Sequence, residues 1–267
     1  MTPHGWMKHS TPELREIADK HTIFRCQVGS GLHGTAITGT DDRDEMGICV
    51  EPARYVIGLR RFDQYVYRTQ PEGVRSGHGD LDLTVYSLRK WMRLALDGNP
   101  TVLLSLFVPA SEIVTVTDLG RELLNEGPGF ILSRQAGHRF LGYLRSQRDR
   151  MIAHPNGKRT NRPELIAQHG FDTKFAGHMI RLGVQGVELL ETGTISLPMP
   201  EPWRSLIVDI RQGKHTKEEA LTIASDLEAR LEKLITTSSL PEHPDRDRAD
   251  QWLVKAYSST WAIEAKA

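Results

Sequence analysis

Two cysteines in 267 residues, no net charge and no long apolar run exclude several classes of protein from the start. Cys26 and Cys49 each sit in an apolar, strand-like run with no second Cys or His at metal spacing. They read as buried free thiols, which argues against a disulfide framework and a cysteine zinc site. Lys+Arg and Asp+Glu balance at 34 each, so any argument for nucleic acid must rest on local charge. No run approaches the roughly 20 apolar residues of a membrane span, and the first residues lack a signal-peptide core. The expectation is a cytoplasmic protein that makes no membrane contact. Internal repeats and low-complexity tracts are absent, and 39% hydrophobic with 25% charged residues is an ordinary globular composition.

What is present divides into two halves. Thr11-Pro12-Glu13-Leu14 opens a helix, because Thr11 can cap and proline suits the first turn. Residues 23–28 read as a strand broken at Gly29-Ser30-Gly31, and residues 46–50 as a second strand stopped at Glu51-Pro52. From 81 to 86, apolar Leu81, Leu83 and Val85 alternate with Asp82, Thr84 and Tyr86, the pattern of a strand with one face in the core. Ser87 begins a helix through Leu96, and Asn99-Pro100 begins another through the apolar run 102–108. Beyond Asp118 the strand signal fades and helices are expected over 120–127, 133–153, 172–192, 216–236 and 247–265. Thr216 and Glu219 form a capping box. The expected division is 1–118 and 119–267.

The chemistry concentrates between residues 28 and 47. A strand that ends in Gly29-Ser30 presents backbone N–H groups and a hydroxyl, donors that suit a triphosphate. Asp42 and Asp44 follow; on extended backbone, residues two apart point the same way, so both carboxylates converge. Hard oxygen donors held together suit Mg²⁺ or Mn²⁺. For that pair alone, a solvated acidic turn is the favoured reading. Asp82 adds a third carboxylate if its strand neighbours the one entered at Asp44, with Asp80 competing on the same face. Three such acids can hold two ions, one activating a hydroxyl and one gripping nucleotide phosphates.

These residues resemble a known family. Gly29-Ser30 with Asp42-x-Asp44 looks like the signature of the DNA polymerase β nucleotidyltransferases. Asp44-x-x-Gly47-Ile48, the 55–59 segment, the 82–90 segment, Gly98-Asn99-Pro100 and residues 106–109 are similar to one branch. That branch is the RNA-repair-pathway (RlaP-type) group found in bacteria and phages, and the similarity runs through most of residues 25–235. The resemblance implies an α+β fold, with a small mixed β-sheet core flanked by helices and a helical C-terminal region. It implies Mg²⁺-dependent (or Mn²⁺-dependent) transfer of an NMP from an NTP such as ATP. Asp42, Asp44 and Asp82 would be the catalytic, metal-binding acids, with Asp82 also able to take the acceptor's proton. Gly29, Ser30 and His33 would contact the nucleotide. The chain departs from the pattern at Gly31, where many members carry Arg, and at His33, a position often aromatic.

The helical half carries two basic features. Lys174, His178 and Arg181 share one helical face, so three cation-capable groups in line can grip phosphate, and the segment from Phe171 also looks like the same branch. Between Arg134 and Arg162, eight basic residues face a single acid, Asp149. Arg148, Arg150, Lys158, Arg159 and Arg162 are therefore expected contacts to an RNA acceptor, with a solvated helix face as the competing reading. Tyr65 and Tyr67 suit either base stacking or an edge strand. Trp91, Phe107, Trp203, Trp252 and Trp261 are read as packing residues. The functional expectation is NMP transfer to an RNA 3′ end. An antitoxin-like AMP transferase acting on protein, and a non-catalytic nucleotide- or RNA-binding module, are the rivals.

Overall fold

A computed structural model of the chain describes residues 8–37, 39, 41–71, 73–152 and 162–264. The elements run α1 (Pro12–His21), β1 (Thr22–Val28), α2 (Gly29–His33), β2 (Arg43–Cys49), α3 (Ala53–Val56), β3 (Gln64–Arg68), β4 (Leu81–Ser87), α4 (Leu88–Leu96) and α5 (Pro100–Leu103). They continue through β5 (Ile113–Val116), α6 (Asp118–Glu126), α7 (Pro128–Ile131), α8 (Gln135–Ile152), α9 (Pro163–His169), α10 (Thr173–Thr192), α11 (Trp203–Arg211), α12 (Lys217–Thr237) and α13 (Arg246–Glu264). The fold is α+β, as the resemblance implies. No helix among the described residues is long and apolar enough to cross a membrane.

The chain divides into two compact units, one of residues 1–96, 101–131 and 245–267, the other of 97–100 and 132–244. Compactness therefore divides the chain at different points from residue 118. Asp245 donates its N–H to the Phe130 carbonyl at 2.9 Å, and Trp252 packs on the Phe130 ring, so α13 belongs with the sheet that precedes it by over a hundred residues.

The first unit is built on a five-stranded sheet in the order β3-β4-β2-β1-β5. β2 and β4 pair in parallel; the other neighbours are antiparallel. One face of the sheet buries Leu83 and Val85 of β4 with Tyr65, Tyr55 and Phe62. Tyr65 is thus core, which removes it as a base-stacking surface, and β3 is the edge strand. α4 follows β4 directly and buries Leu88, Trp91, Met92, Ala95 and Leu96, the spacing of a helix with one apolar face. Trp91 is fully buried and donates its indole N–H to Ser105 Oγ at 3.2 Å. Truncating such a residue costs about 3–5 kcal/mol.

Two local expectations change. The apolar run 102–108 is not one helix: α5 stops at Leu103 and a 3₁₀ turn covers Leu104–Leu106, leaving Phe107 half-buried. The break after β1 is not an open loop but the single helical turn α2, entered through Gly29 at φ +72° and closed by Gly34 at φ +68°. Cys26 and Cys49 are both buried free thiols, and burial pushes the Cys26 thiol up to about 12.

The second unit is helical, with α8, α10 and α12 packed together and α11 against α10. Gly137, Gly183 and Gly186 lie at the close crossings of these helices. The Thr216–Glu219 capping box is present at the start of α12.

Candidate active site

Strand register assembles the three acids. β2 and β4 run in parallel with Asp44 directly opposite Asp82, and Asp42 stands two residues before Asp44 at the strand's entry. One carboxylate oxygen from each of Asp42, Asp44 and Asp82 lies within 4.8 Å of the others, and all three residues are half-buried. Two like unit charges 4 Å apart repel by about 4 kcal/mol at an effective dielectric of roughly 20. Positive charge beside three carboxylates this close relieves that repulsion, and hard oxygen donors in that arrangement can bind a divalent ion.

Part of that charge comes from the fold. Arg68 is the antiparallel partner of Asp82 across β3–β4, and its Nε lies 3.0 and 3.2 Å from the two carboxylate oxygens. Ser76 donates to Asp82 Oδ1 at 2.8 Å and accepts from Arg68 at 2.6 Å. Sequence reasoning missed Ser76 and left Arg68 as a neighbour of the tyrosines. The pairing register of β3, which no local pattern encodes, is what brings Arg68 to Asp82.

Asp80 is a different kind of residue. Its carboxylate accepts from the Gly77 N–H at 2.8 Å, the Thr69 hydroxyl at 2.8 Å and the Gln70 amide at 2.6 Å. These donors, the Gly77 N–H foremost, hold the carboxyl below the usual carboxylate range. Asp80 ties off the β3–β4 loop, and Asp82 is the acid that joins Asp42 and Asp44.

Beneath the triad, Glu45 is 6% exposed and paired with Arg25 at 2.5 Å and Arg43 at 2.6 Å. It alternates with Asp44 and so falls on the other face of β2. Gly29 sits against the triad: a Cβ there would lie 2.1 Å from Asp44 Oδ2. Glycine at this position lets the chain turn into α2 in contact with one carboxylate of the triad. Ser30 follows in α2, and His33 at its end is buried.

Lys174, His178 and Arg181 lie on α10 of the second unit, where Asp172 caps the helix through its contacts with the Lys174 and Phe175 N–H groups at 3.0 and 3.1 Å. Burial, reinforced by Arg181, Lys174, Arg211 and Arg162, pushes the His178 imidazole well below its ordinary pKa. Burial also lowers Arg181 to about 10.

The basic stretch looks different once folded. Arg145 pairs with Glu228 and Glu232, and Arg148 with Glu228, each at 2.5 Å, so α12 supplies acids that offset α8. Arg139 bonds the Asp97 carbonyl, and Arg162 lies 3.4 Å from Asp172. Arg150 is exposed, whereas Lys158 and Arg159 lie outside the described residues.

Comparison with known proteins adds a family. The model of the family described as "RlaP: RNA repair pathway DNA polymerase beta family" matches residues 7–255. An uncharacterized 38.9 kDa protein in the nrdC–mobD intergenic region of Enterobacteria phage T4 is 27% identical over 128 residues, 47% of this chain and 37% of that one. The match thus spans little more than a third of the phage protein's length. The crystal structure of a nucleotidyltransferase-like protein from Exiguobacterium sibiricum aligns with 86% of this chain and 75% of its own, at 11% identity and a TM-score of 0.29. A score that low carries no argument.

Proposed function

Because the chain belongs to the RNA repair pathway DNA polymerase beta family (RlaP), we propose that it transfers an NMP from an NTP to a hydroxyl acceptor, with an RNA 3′ end as the favoured acceptor. The observation that carries this reading is the convergence of Asp42, Asp44 and Asp82 beside the Gly29-Ser30 turn. Mg²⁺ or Mn²⁺ held by the three carboxylates would supply positive charge to the nucleotide's phosphates and to the attacking oxygen.

The chain's own groups divide the remaining work. The acceptor hydroxyl oxygen attacks the α-phosphorus, the bond from that phosphorus to the bridging oxygen breaks, and pyrophosphate leaves. Asp82 receives the hydroxyl proton, with Arg68 and Ser76 fixing the direction of its carboxylate. Gly29, Ser30 and His33, the last buried at the end of the same turn, are the nucleotide contacts on this side. Residues 1–118 carry the catalysis, and 119–267 contribute nucleotide and acceptor contacts, with Lys174, His178 and Arg181 on the nucleotide. Support for RNA comes from the family's RNA-repair description and from the exposed Arg150 together with Lys158, Arg159 and Arg162. Arg148, engaged by Glu228, contributes less to this role than its sequence position suggests.

The test is incubation with Mg²⁺ or Mn²⁺ and each labelled NTP, in the presence of single-stranded RNA, DNA, tRNA or no acceptor, beside an Asp42→Ala/Asp44→Ala variant. Label on RNA from the parent and none from the variant supports the reading. Label on polypeptide alone replaces it with protein AMP transfer. NTP binding without transfer to any acceptor withdraws the RNA assignment.

A further inference from the structure

The connection from β3 to β4 brings a hydroxyl of the chain itself to the aspartate triad. Asp80 ties the ends of this connection together, accepting from the Thr69 hydroxyl and the Gln70 amide at its start and from the Gly77 N–H near its end. The Asp80 N–H in turn donates to the Gly77 carbonyl at 3.0 Å. Ser76 directly precedes the residue anchored on Asp80, so this closure fixes where Ser76 stands. Its hydroxyl donates to Asp82 Oδ1 at 2.8 Å and accepts from Arg68 Nη2 at 2.6 Å. Ser76 is half-buried, and the Arg68 and Asp82 side chains beside it are 23% and 27% exposed.

The transfer chemistry proposed above asks three things of an acceptor hydroxyl. It needs a carboxylate to take its proton, positive charge to steady the oxygen as that proton leaves, and a place beside the triad. Ser76 has all three in the folded chain. Its proton is directed at Asp82, the acid assigned to receive it, and Arg68 donates to the oxygen on which negative charge develops. The Thr69 hydroxyl, by contrast, directs its proton at Asp80, outside the triad. Ser76 and Asp82 belong to the same chain segment, so no association step is needed to bring them together. A hydroxyl held in place competes with any acceptor that must diffuse in.

We infer that Ser76 is an acceptor built into the chain: the protein nucleotidylylates itself at this hydroxyl, with an NTP as donor. The inference rests on the transfer chemistry proposed above and adds a second acceptor to the same site. Ser76 Oγ forms a bond to the α-phosphorus, and the bond from that phosphorus to the oxygen bridging it to the β-phosphorus breaks. Pyrophosphate leaves, and the hydroxyl proton passes to Asp82. The product is a phosphodiester joining Ser76 to the nucleoside. It has no hydroxyl hydrogen left for Asp82, and it offers Arg68 a phosphate oxygen to pair with.

The experiment incubates the full chain with Mn²⁺ and each NTP, labelled at the α- or the γ-phosphate, with and without single-stranded RNA. Label on the chain is read by intact mass and by peptide mapping after trypsin. Ser76 falls in the peptide from Ser76 to Arg89, where fragmentation separates it from Thr84, Tyr86 and Ser87. Intact mass of the chain as purified, before any NTP is added, reveals nucleotide already carried at Ser76 and counts as the same result. The expected outcome is α-label on Ser76, no γ-label, and a labelled fraction that does not change when the protein is diluted, because each chain supplies its own Asp82. An Asp42→Ala/Asp44→Ala chain mixed with the parent should stay unlabelled. Ser76→Ala should lose the label, and mapping on the parent decides the matter even where that variant fails to fold. No nucleotide on the chain, label on another residue alone, γ-label on Ser76, or labelling of the Asp42→Ala/Asp44→Ala chain by the parent overturns the inference. RNA labelled while the chain is not overturns it and leaves the proposed function standing. Ser76 labelled while RNA is not withdraws the RNA acceptor and leaves self-transfer standing.

Discussion

Replacing Gly29 by alanine tests whether the turn after β1 and the aspartate triad form one device. Gly29 has φ +72°, a conformation that costs an L-residue about 1–2 kcal/mol. The added methyl would also stand 2.1 Å from Asp44 Oδ2, so the carboxylate or the turn must move by about an ångström to reach ordinary contact. A displacement of that size at a reacting centre costs on the order of 100-fold in rate. The expected variant is therefore folded, melts lower by roughly 2–8 °C, and loses far more function than stability. Scanning calorimetry gives the first quantity, and Mn²⁺ binding followed by paramagnetic resonance, with labelled-NTP transfer, gives the second. Gly170→Ala is the control, since it shares a positive φ of +81° with nothing within 4 Å of the added carbon. It should show the backbone penalty with unchanged metal binding. A Gly29→Ala chain with parental Mn²⁺ affinity and transfer rate would refute the claim that the turn is fitted to Asp44.

Other perturbations separate binding groups from structural ones. Arg68→Gln removes the cation that competes for Asp82, so Mn²⁺ should bind several-fold more tightly while the melting temperature changes little, because the pair is partly exposed. Weaker Mn²⁺ binding would mean that aiming the Asp82 carboxylate outweighs competing for it. Asp80→Asn should destabilise the β3–β4 loop, seen as faster amide exchange there, and leave Mn²⁺ affinity intact; a lost metal site would return Asp80 to the catalytic set. Glu51 is buried, its Oε1 lacks a hydrogen-bond partner, and burial raises its pKa above 4.5. Its folded form favours the proton, so it weakens the protein increasingly as pH rises above that value. Glu51→Gln should raise the melting temperature at pH 7, with the gain vanishing near pH 4, and an unchanged or lower value at pH 7 would contradict this. His178 has a folded pKa below the ordinary 6.5, so the unfolded chain takes up the proton first and stability falls as pH drops below 6.5. His178→Gln should flatten that slope in melts from pH 7.5 to 5, and an equally steep slope would move the effect elsewhere.

The linear sequence by itself determined the features whose physical cause is local. Alternation along residues 81–86 marks a strand with Asp82 on its polar side, and the capping signals at Thr11 and Thr216 mark helix starts that the fold keeps. The Gly-Ser turn and the spacing of Asp42 and Asp44 are sequence properties as well, which is why two of the three acids could be paired before any fold was known. What tertiary structure alone decided is every relation set by register or by a distant partner. β3 and β5 are short strands that exist because β4 and β1 offer them hydrogen bonds, and β3's register is what carries Arg68 to Asp82. Position within the strand already favours Asp82 over Asp80 in sequence, and what the fold adds is the set of loop donors that engages Asp80. The basic run 134–162 had an evident charge excess in sequence, but Glu228 and Glu232 lie some 80 positions away and offset part of it only after α8 and α12 pack. Arg211 joins the α10 cations for the same reason: a glycine on one helix leaves room for an arginine from another, and no spacing along the chain records that contact.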